Sequence, residues 1–241
     1  MMKALLKMTL VWGLVSLADY TAMAQTQSPA CPLLEKPALY LPMVISRTGC
    51  PLSAVIQVTT TQTLADGTHI QTNFKALVYR DSLGRIRRET YAPADTTPNM
   101  IVISDPVEGF SYFMLPQKDA VAYRHKLSQT AASAKVSAQD QHSPAPEPKI
   151  ATETLGVQQF EGLLATGTRT TWTTPAGAKG NDRALTTVRE TWISRDIGIT
   201  LLEKTSDPQN GESETRMTNL EQTEPDSTLF QVPSDYTIHD Q

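Results

Sequence analysis

No H-E-x-x-H, G-x-S-x-G or G-x-x-x-x-G-K-[ST] pattern occurs in this sequence. The first absence removes the two-histidine zinc helix, the second the nucleophile elbow, the third the phosphate-cradling loop. Histidine is scarce. His69, His125, His142 and His239 lie far apart, no pair has metal-ligand spacing, and each is expected at the surface. Aromatic residues make up 6% of the chain, too few to give a carbohydrate-gripping platform of coplanar exposed rings. Phe110, Tyr112, Phe113, Phe160, Trp172, Trp192 and Phe230 are therefore assigned to the core. There is no dense basic tract and the formal net charge is −4, which argues against nucleic acid as a partner.

The remaining polar groups do not form a reactive constellation. Arg80, Arg85, Arg87 and Arg88 cluster, but they straddle a hairpin turn and are expected to form a solvated rim. Glu89, Asp105, Glu190 and Asp196 could serve as acid and base in a hydrolase, yet no spacing singles out a pair. The glycine-rich stretch 177–182 lies between strand-like runs and is expected to be a hairpin loop. No catalytic, metal-binding or cofactor-binding residue is nominated, and no cofactor is expected.

What is present begins with a leader. Lys3 and Lys7 precede an apolar run from Met8 to Ala18, and Ala22-Met23-Ala24 forms an A-x-A site. This is the anatomy of a secretory signal peptide over residues 1–24, cleaved between Ala24 and Gln25. The run is well short of the ~18 residues a spanning helix needs. No transmembrane anchor is expected after cleavage, and the protein is expected in the periplasm or outside the cell. Loss of Lys3, Lys7 and Asp19 moves the net charge from −4 to −5. In such a compartment the only two cysteines, Cys31 and Cys50, are expected to pair as a disulfide. They bracket a proline-rich amino-terminal segment, residues 25–52.

From residue 53 to 241 the pattern is that of one β-rich domain. Runs rich in Val, Ile, Thr and aromatic residues alternate with Asp-Gly, Asp-x-x-Gly and Asn-Gly turns. The most regular stretch is Thr187 to Tyr236, three strand-like runs separated by two tight turns and followed by L-F-Q-V-P. Leu229, Phe230 and Val232 are expected to fold back onto the sheet, with the domain ending at Pro233–Tyr236. The count predicts a mainly β fold: a curved antiparallel meander, an incomplete barrel of ten to eleven strands with little helix. Residues 128–152, rich in Ala, Ser, Gln and Pro, are expected to be a flexible linker. There is one faint internal echo: Tyr79–Gly84 and Trp192–Gly198 each run from an aromatic through Arg-Asp to glycine, which two hairpins with the same turn chemistry would explain.

Trp192-Ile193-Ser194, Asn219-Leu220 and the run Pro225 to Tyr236 resemble a group of exported bacterial proteins of unknown function with the ending P-D-x-x-L-F-x-V-P-x-x-Y. Val78–Glu89 and Gly167–Thr171 resemble it too. The strand order and the L-F-x-V-P ending are more distantly similar to the periplasmic lipoprotein-carrier, LolA-like superfamily. That resemblance implies an incomplete antiparallel barrel with an apolar cavity for acyl chains, and a lipid or lipoprotein ligand. Three functions follow for comparison. The first is a non-enzymatic envelope protein that binds lipid or an acylated protein on the concave side of the sheet. The second is a structural module with a filled core that docks another envelope protein at a sheet edge. The third is a hydrolase with an unrecognised site.

Overall fold

The computed structural model describes Cys31 and residues 44–127 and 147–241. The signal segment, its cleavage site at Ala24 and Gln25, and residues 128–146 of the expected linker lie outside the described residues. Twelve strands form one sheet: β1 Leu52–Thr63, β2 His69–Arg80, β3 Ile86–Tyr91, β4 Met100–Asp105, β5 Phe110–Met114, β6 Val121–Lys126, β7 Lys149–Phe160, β8 Leu163–Thr174, β9 Leu185–Ser194, β10 Ile199–Asp207, β11 Gly211–Glu221 and β12 Thr237–Asp240. The described helical content is a single 3-10 turn, Ser227–Phe230.

The strand order is β12-β6-β5-β4-β3-β2-β1-β11-β10-β9-β8-β7. Two meanders, β1 to β6 and β7 to β11, thus run outward from a central β1–β11 seam. The sheet is curved and open, with β12 and β7 at its two edges. All pairings are antiparallel except that of β12 with β6, which is parallel. Two bounds differ from the sequence expectation. β7 begins at Lys149, inside the span expected as a linker, and β12 extends the sheet past Tyr236, where the domain was expected to end.

Aspartates set the hairpins. Asp66, Asp81, Asp105 and Asp207 each accept a backbone N–H two residues on, closing a local turn before the chain reverses. Asp81 adds the N–H of Arg85 at 2.8 Å and its side-chain Nε at 2.6 Å. It is buried, because these donors replace water around the carboxylate.

Alternation along the strands produces two cores on opposite faces. Leu52, Ala54 and Ile56 of β1, Ala76 and Val78 of β2, Ile199 and Leu201 of β10 and Met217 of β11 form the first core. Val78 lies opposite Arg88, which lies opposite Val102. Ile101 and Ile103 therefore project from the other face. With Tyr112, Met114 and Ala122 they form the second core, against which Val232 and Tyr236 pack. Full burial of a side chain such as Ile103 or Met114 contributes about 1.5–3 kcal/mol.

Two segments bind the sheet from outside. Residues 44–50 cross the β2–β3 and β9–β10 turns, the two turns that echo one another in sequence. Ser46 Oγ donates to the carbonyl of Gly84 at 2.6 Å, the Gly49 N–H donates to the Ser82 carbonyl at 2.8 Å, and Val44 bridges Ile199. Both turns need glycine here. Gly84 and Gly198 have φ of 82° and 64°, and a Cβ on either would sit within about 3 Å of Ser46 or Arg47. Cys50 is disulfide-bonded to Cys31, with Cα atoms 5.1 Å apart. Later in the chain, the 3-10 turn Ser227–Phe230 packs against β3. Phe230 is buried beneath the Arg85 guanidinium, and the Leu229 carbonyl accepts from Arg87 Nη1 at 2.9 Å.

The strands differ in length, and this leaves a step. β1, β2 and β7 to β11 have nine to twelve residues, whereas β3 to β6 and β12 have four to six. β3 pairs only with Lys75–Arg80, so His69–Phe74 pairs with β1 alone. Pro93 carries no N–H to extend the ladder, and Ala94 turns away with φ 68°.

Candidate functional site

The four clustered arginines do not form a solvated rim. Arg80 is fully buried and donates to three carbonyls: Cys50 at 2.6 Å, Ile45 at 2.9 Å and Ile197 at 2.9 Å. Burial, then the nearby Arg47 charge, lowers its pKa to about 10. Arg85 is committed to Asp81. Arg87 holds Glu89 at 2.7 Å as well as the Leu229 carbonyl. Asp81 and Glu89 are local partners, but the carbonyls held by Arg80 and Arg87 lie 30 to 142 positions away, which is why the local cluster reads as a surface rim.

Arg88 differs from the other three. It projects from the first-core face, and its Nε is buried with no hydrogen-bond partner among the described residues. Thr90 Oγ1, two residues on along the same face, is in the same condition, as is Asn99 Oδ1 at the end of the β3–β4 loop. The Asn99 N–H donates to the Thr90 carbonyl at 2.9 Å.

The cross-strand row through Arg88 is largely apolar, with Thr90, Ser104 and Ser111 on the same face. Register places Val78, Arg88, Val102, Phe113, Tyr123 and His239 side by side in one row across β2, β3, β4, β5, β6 and β12. The Tyr123 and His239 rings lie 6.2 Å apart. Met100 flanks the row on one side and Ile86 on the other. Val102, Phe113 and Tyr123 are half-buried, not sealed as the second core is. A guanidinium on an apolar row, without an anion beside it, can hold a carboxylate or phosphate while the row takes hydrocarbon.

The other groups singled out in the sequence lie elsewhere. Glu89 is buried on the opposite face, where it accepts from Arg87 and from the Tyr91 hydroxyl at 2.6 Å. Burial, that hydrogen bond and the Glu89 charge push the Tyr91 phenol well above its usual range. Asp105 caps its turn, and Glu190 is ion-paired with Arg169 at 2.6 Å. Glu190 belongs to a polar row in which Glu153, Arg169, Glu190, Lys204 and Glu214 lie opposite one another on successive strands from β7 to β11. An open groove of about 400 Å³ beside it is lined by Thr59, Lys204, Glu212 and Glu214. A second groove, about 530 Å³, fills the step between β2 and the Tyr91–Asp95 loop.

His69 lies on the half of β2 that pairs with β1 alone, His125 near the end of β6 and His239 on β12; His142 is outside the described residues. Among the described residues no three His, Cys, Asp or Glu side chains converge. No described helix is long and apolar enough to cross a membrane. Of the aromatics assigned to the core, Tyr112 and Phe230 are buried, whereas Phe110, Phe113, Phe160, Trp172 and Trp192 are half-buried. Phe160 and Trp192 pack at 5.4 Å against the first core, and Phe113 belongs to the Arg88 face.

No protein-family model matches the chain, and no curated protein matches it. Solved structures do. An uncharacterized conserved protein from Thermus thermophilus is 12% identical over 80% of this chain and 91% of its own, with a TM-score of 0.45. LprF from Mycobacterium bovis is 13% identical over 78% and 90%, with a TM-score of 0.33. The LolA superfamily protein NE2245 from Nitrosomonas europaea is 9% identical over 79% and 91%, with a TM-score of 0.34.

Proposed function

We propose that this is an exported, non-enzymatic binding protein whose ligand is an anionic amphiphile: an acyl chain with a carboxylate or phosphate near one end, free or carried by a protein. One observation carries the proposal. Arg88 holds a buried Nε that has no hydrogen-bond partner among the described residues, and it stands in a cross-strand row beside half-buried Val102, Phe113 and Tyr123. A buried polar group without a partner costs about 1–3 kcal/mol, more when charged. An anion seated there removes that cost, and hydrocarbon laid along Val102, Phe113 and Tyr123 adds about 25 cal/mol per Å² of apolar area taken from water.

The test is titration of the purified protein with a fluorescent long-chain fatty acid, with lysophosphatidylglycerol and with neutral monoacylglycerol. The two anionic lipids are expected to bind at least about tenfold tighter than the neutral one, and Arg88→Met to abolish the difference. Equal affinity for all three, or an Arg88→Met protein that keeps the preference, would sink the proposal.

A further inference from the structure

The β7 edge bears on association with other chains. No described residue pairs with the outer side of β7, and every residue from Lys149 to Thr154 is exposed. The ladder with β8 shifts register between Thr154 and Gly156, so Lys149–Thr154 is one unbroken run of the edge. It carries two charges, Lys149 and Glu153. Both lie on one face with Ala151 between them, while Ile150 and Thr152 lie on the other. Glu153 is ion-paired with Arg169, and Lys149 has no ion pair among the described residues. Ile150 is 64% exposed. Native sheets usually protect such an edge with several charges, a proline or a covering segment.

We infer that Lys149–Thr154 pairs with the same segment of a second copy of this chain, antiparallel about a two-fold axis at Ala151. Charge complementarity selects both the partner and the register. With Ala151 opposite Ala151, Lys149 of each copy faces Glu153 of the other, so one symmetric contact makes two opposite-charge pairs. Ile150 then faces Thr152 and lies diagonal to its own symmetry mate, close enough for large side chains to touch. A parallel, in-register pairing would set Lys149 against Lys149 and Glu153 against Glu153. Pairing stops at the Thr154–Gly156 irregularity, which limits the contact to this short run. A ladder of this length falls below the ~1,200 Å² of stable interfaces, so dissociation in the micromolar range or weaker is expected.

The test is a charge exchange read by sedimentation equilibrium of the purified chain from about 5 μM to about 0.5 mM. Wild type is expected to dimerise with concentration. Lys149→Glu and Glu153→Lys are each expected to weaken self-association at least about tenfold, because each homodimer then opposes like charges. An equimolar mixture of the two variants is expected to dimerise again, since every pair across the contact is then complementary. Circular dichroism verifies that each variant is folded. If Glu153→Lys loses its fold with the Arg169 contact, the Lys149→Glu protein alone decides, by its dimer constant against wild type. A wild type that stays monomeric throughout, or a dimer indifferent to Lys149→Glu, overturns the inference.

Discussion

Arg80 donates a guanidinium N–H to the carbonyl of Ile197, 2.9 Å away and 117 positions later in the chain. Its other two bonds reach Ile45 and Cys50, so one side chain ties the amino-terminal strap, β2 and the β9–β10 turn together. Arg80→Met leaves three carbonyls without this donor and is expected to lower stability by about 3 kcal/mol or more. Arg80→Lys is expected to recover only part of this, because an ammonium lacks the planar fork that spans separate acceptors. Urea unfolding of the two variants measures both effects. Equal stability of the Arg80→Lys protein and wild type would contradict the three-carbonyl account.

The Cys31–Cys50 bond anchors the strap at the carbonyl that Arg80 uses. Closing a loop of this size stabilises by about 3 kcal/mol in the chain-entropy model. Reduction, or paired serine substitution, is expected to lower the melting temperature by several degrees. Calorimetry with and without dithiothreitol measures the shift, and an unchanged transition would contradict it.

Gly167 lies on β8 against the Trp192 ring, and a Cβ there would stand 2.7 Å from two ring carbons. Gly167→Ala is expected to cost about 1–3 kcal/mol through overpacking. Adding Trp192→Leu to Gly167→Ala makes room for the methyl, so the two costs are expected to be less than additive. Additive costs in a denaturant double-mutant cycle would show that the ring is not what excludes the methyl.

Asp207 accepts the Thr187 hydroxyl at 2.7 Å and the N–H groups of Gln209 and Asn210 at 2.9 Å each. The Thr187 bond, aided by the turn N–H groups, holds its carboxyl below the usual range. A carboxylate depressed in the folded state adds stability that is present above the unfolded pKa and lost as pH falls through the folded value. The Asp207→Asn protein is therefore expected to lose less stability than wild type between about pH 5 and pH 2. Parallel stability curves for the two proteins over that range would rule out a contribution from this carboxylate.

Much of the fold was legible because turn chemistry is local. Asp66-Gly67, Asp81 to Gly84 and Asp105 to Gly109 mark three of the four reversals that separate β1 to β5. What escaped depends on partners far along the chain. β12 reads as four polar or exposed residues, and it forms a strand because its backbone finds β6 and Asp240 finds Arg124 at 2.5 Å. β7 starts before its hydrophobic pattern does, because Lys149–Thr152 pairs with Thr170–Thr173. The arginines were indistinguishable in sequence. Arg80, with acceptors up to 117 positions away, is fixed in the core, whereas Arg88 Nε has no partner among the described residues. Its spacing from Val102 and Phe113 carries no signal until the register of β3, β4 and β5 is known.

The second core is covered by Val232 and Tyr236, and the strand beside β6 comes more than a hundred residues after it. A chain emerging amino end first exposes Ile103, Met114 and the free flank of β6 until Val232 to Asp240 arrive. Throughout that interval the nascent protein carries a bare greasy surface beside an unpaired strand, the combination that invites aggregation. A holdase that shields β4 to β6 until release would suit this order of synthesis, and early termination before Val232 would yield insoluble product rather than a shorter working protein.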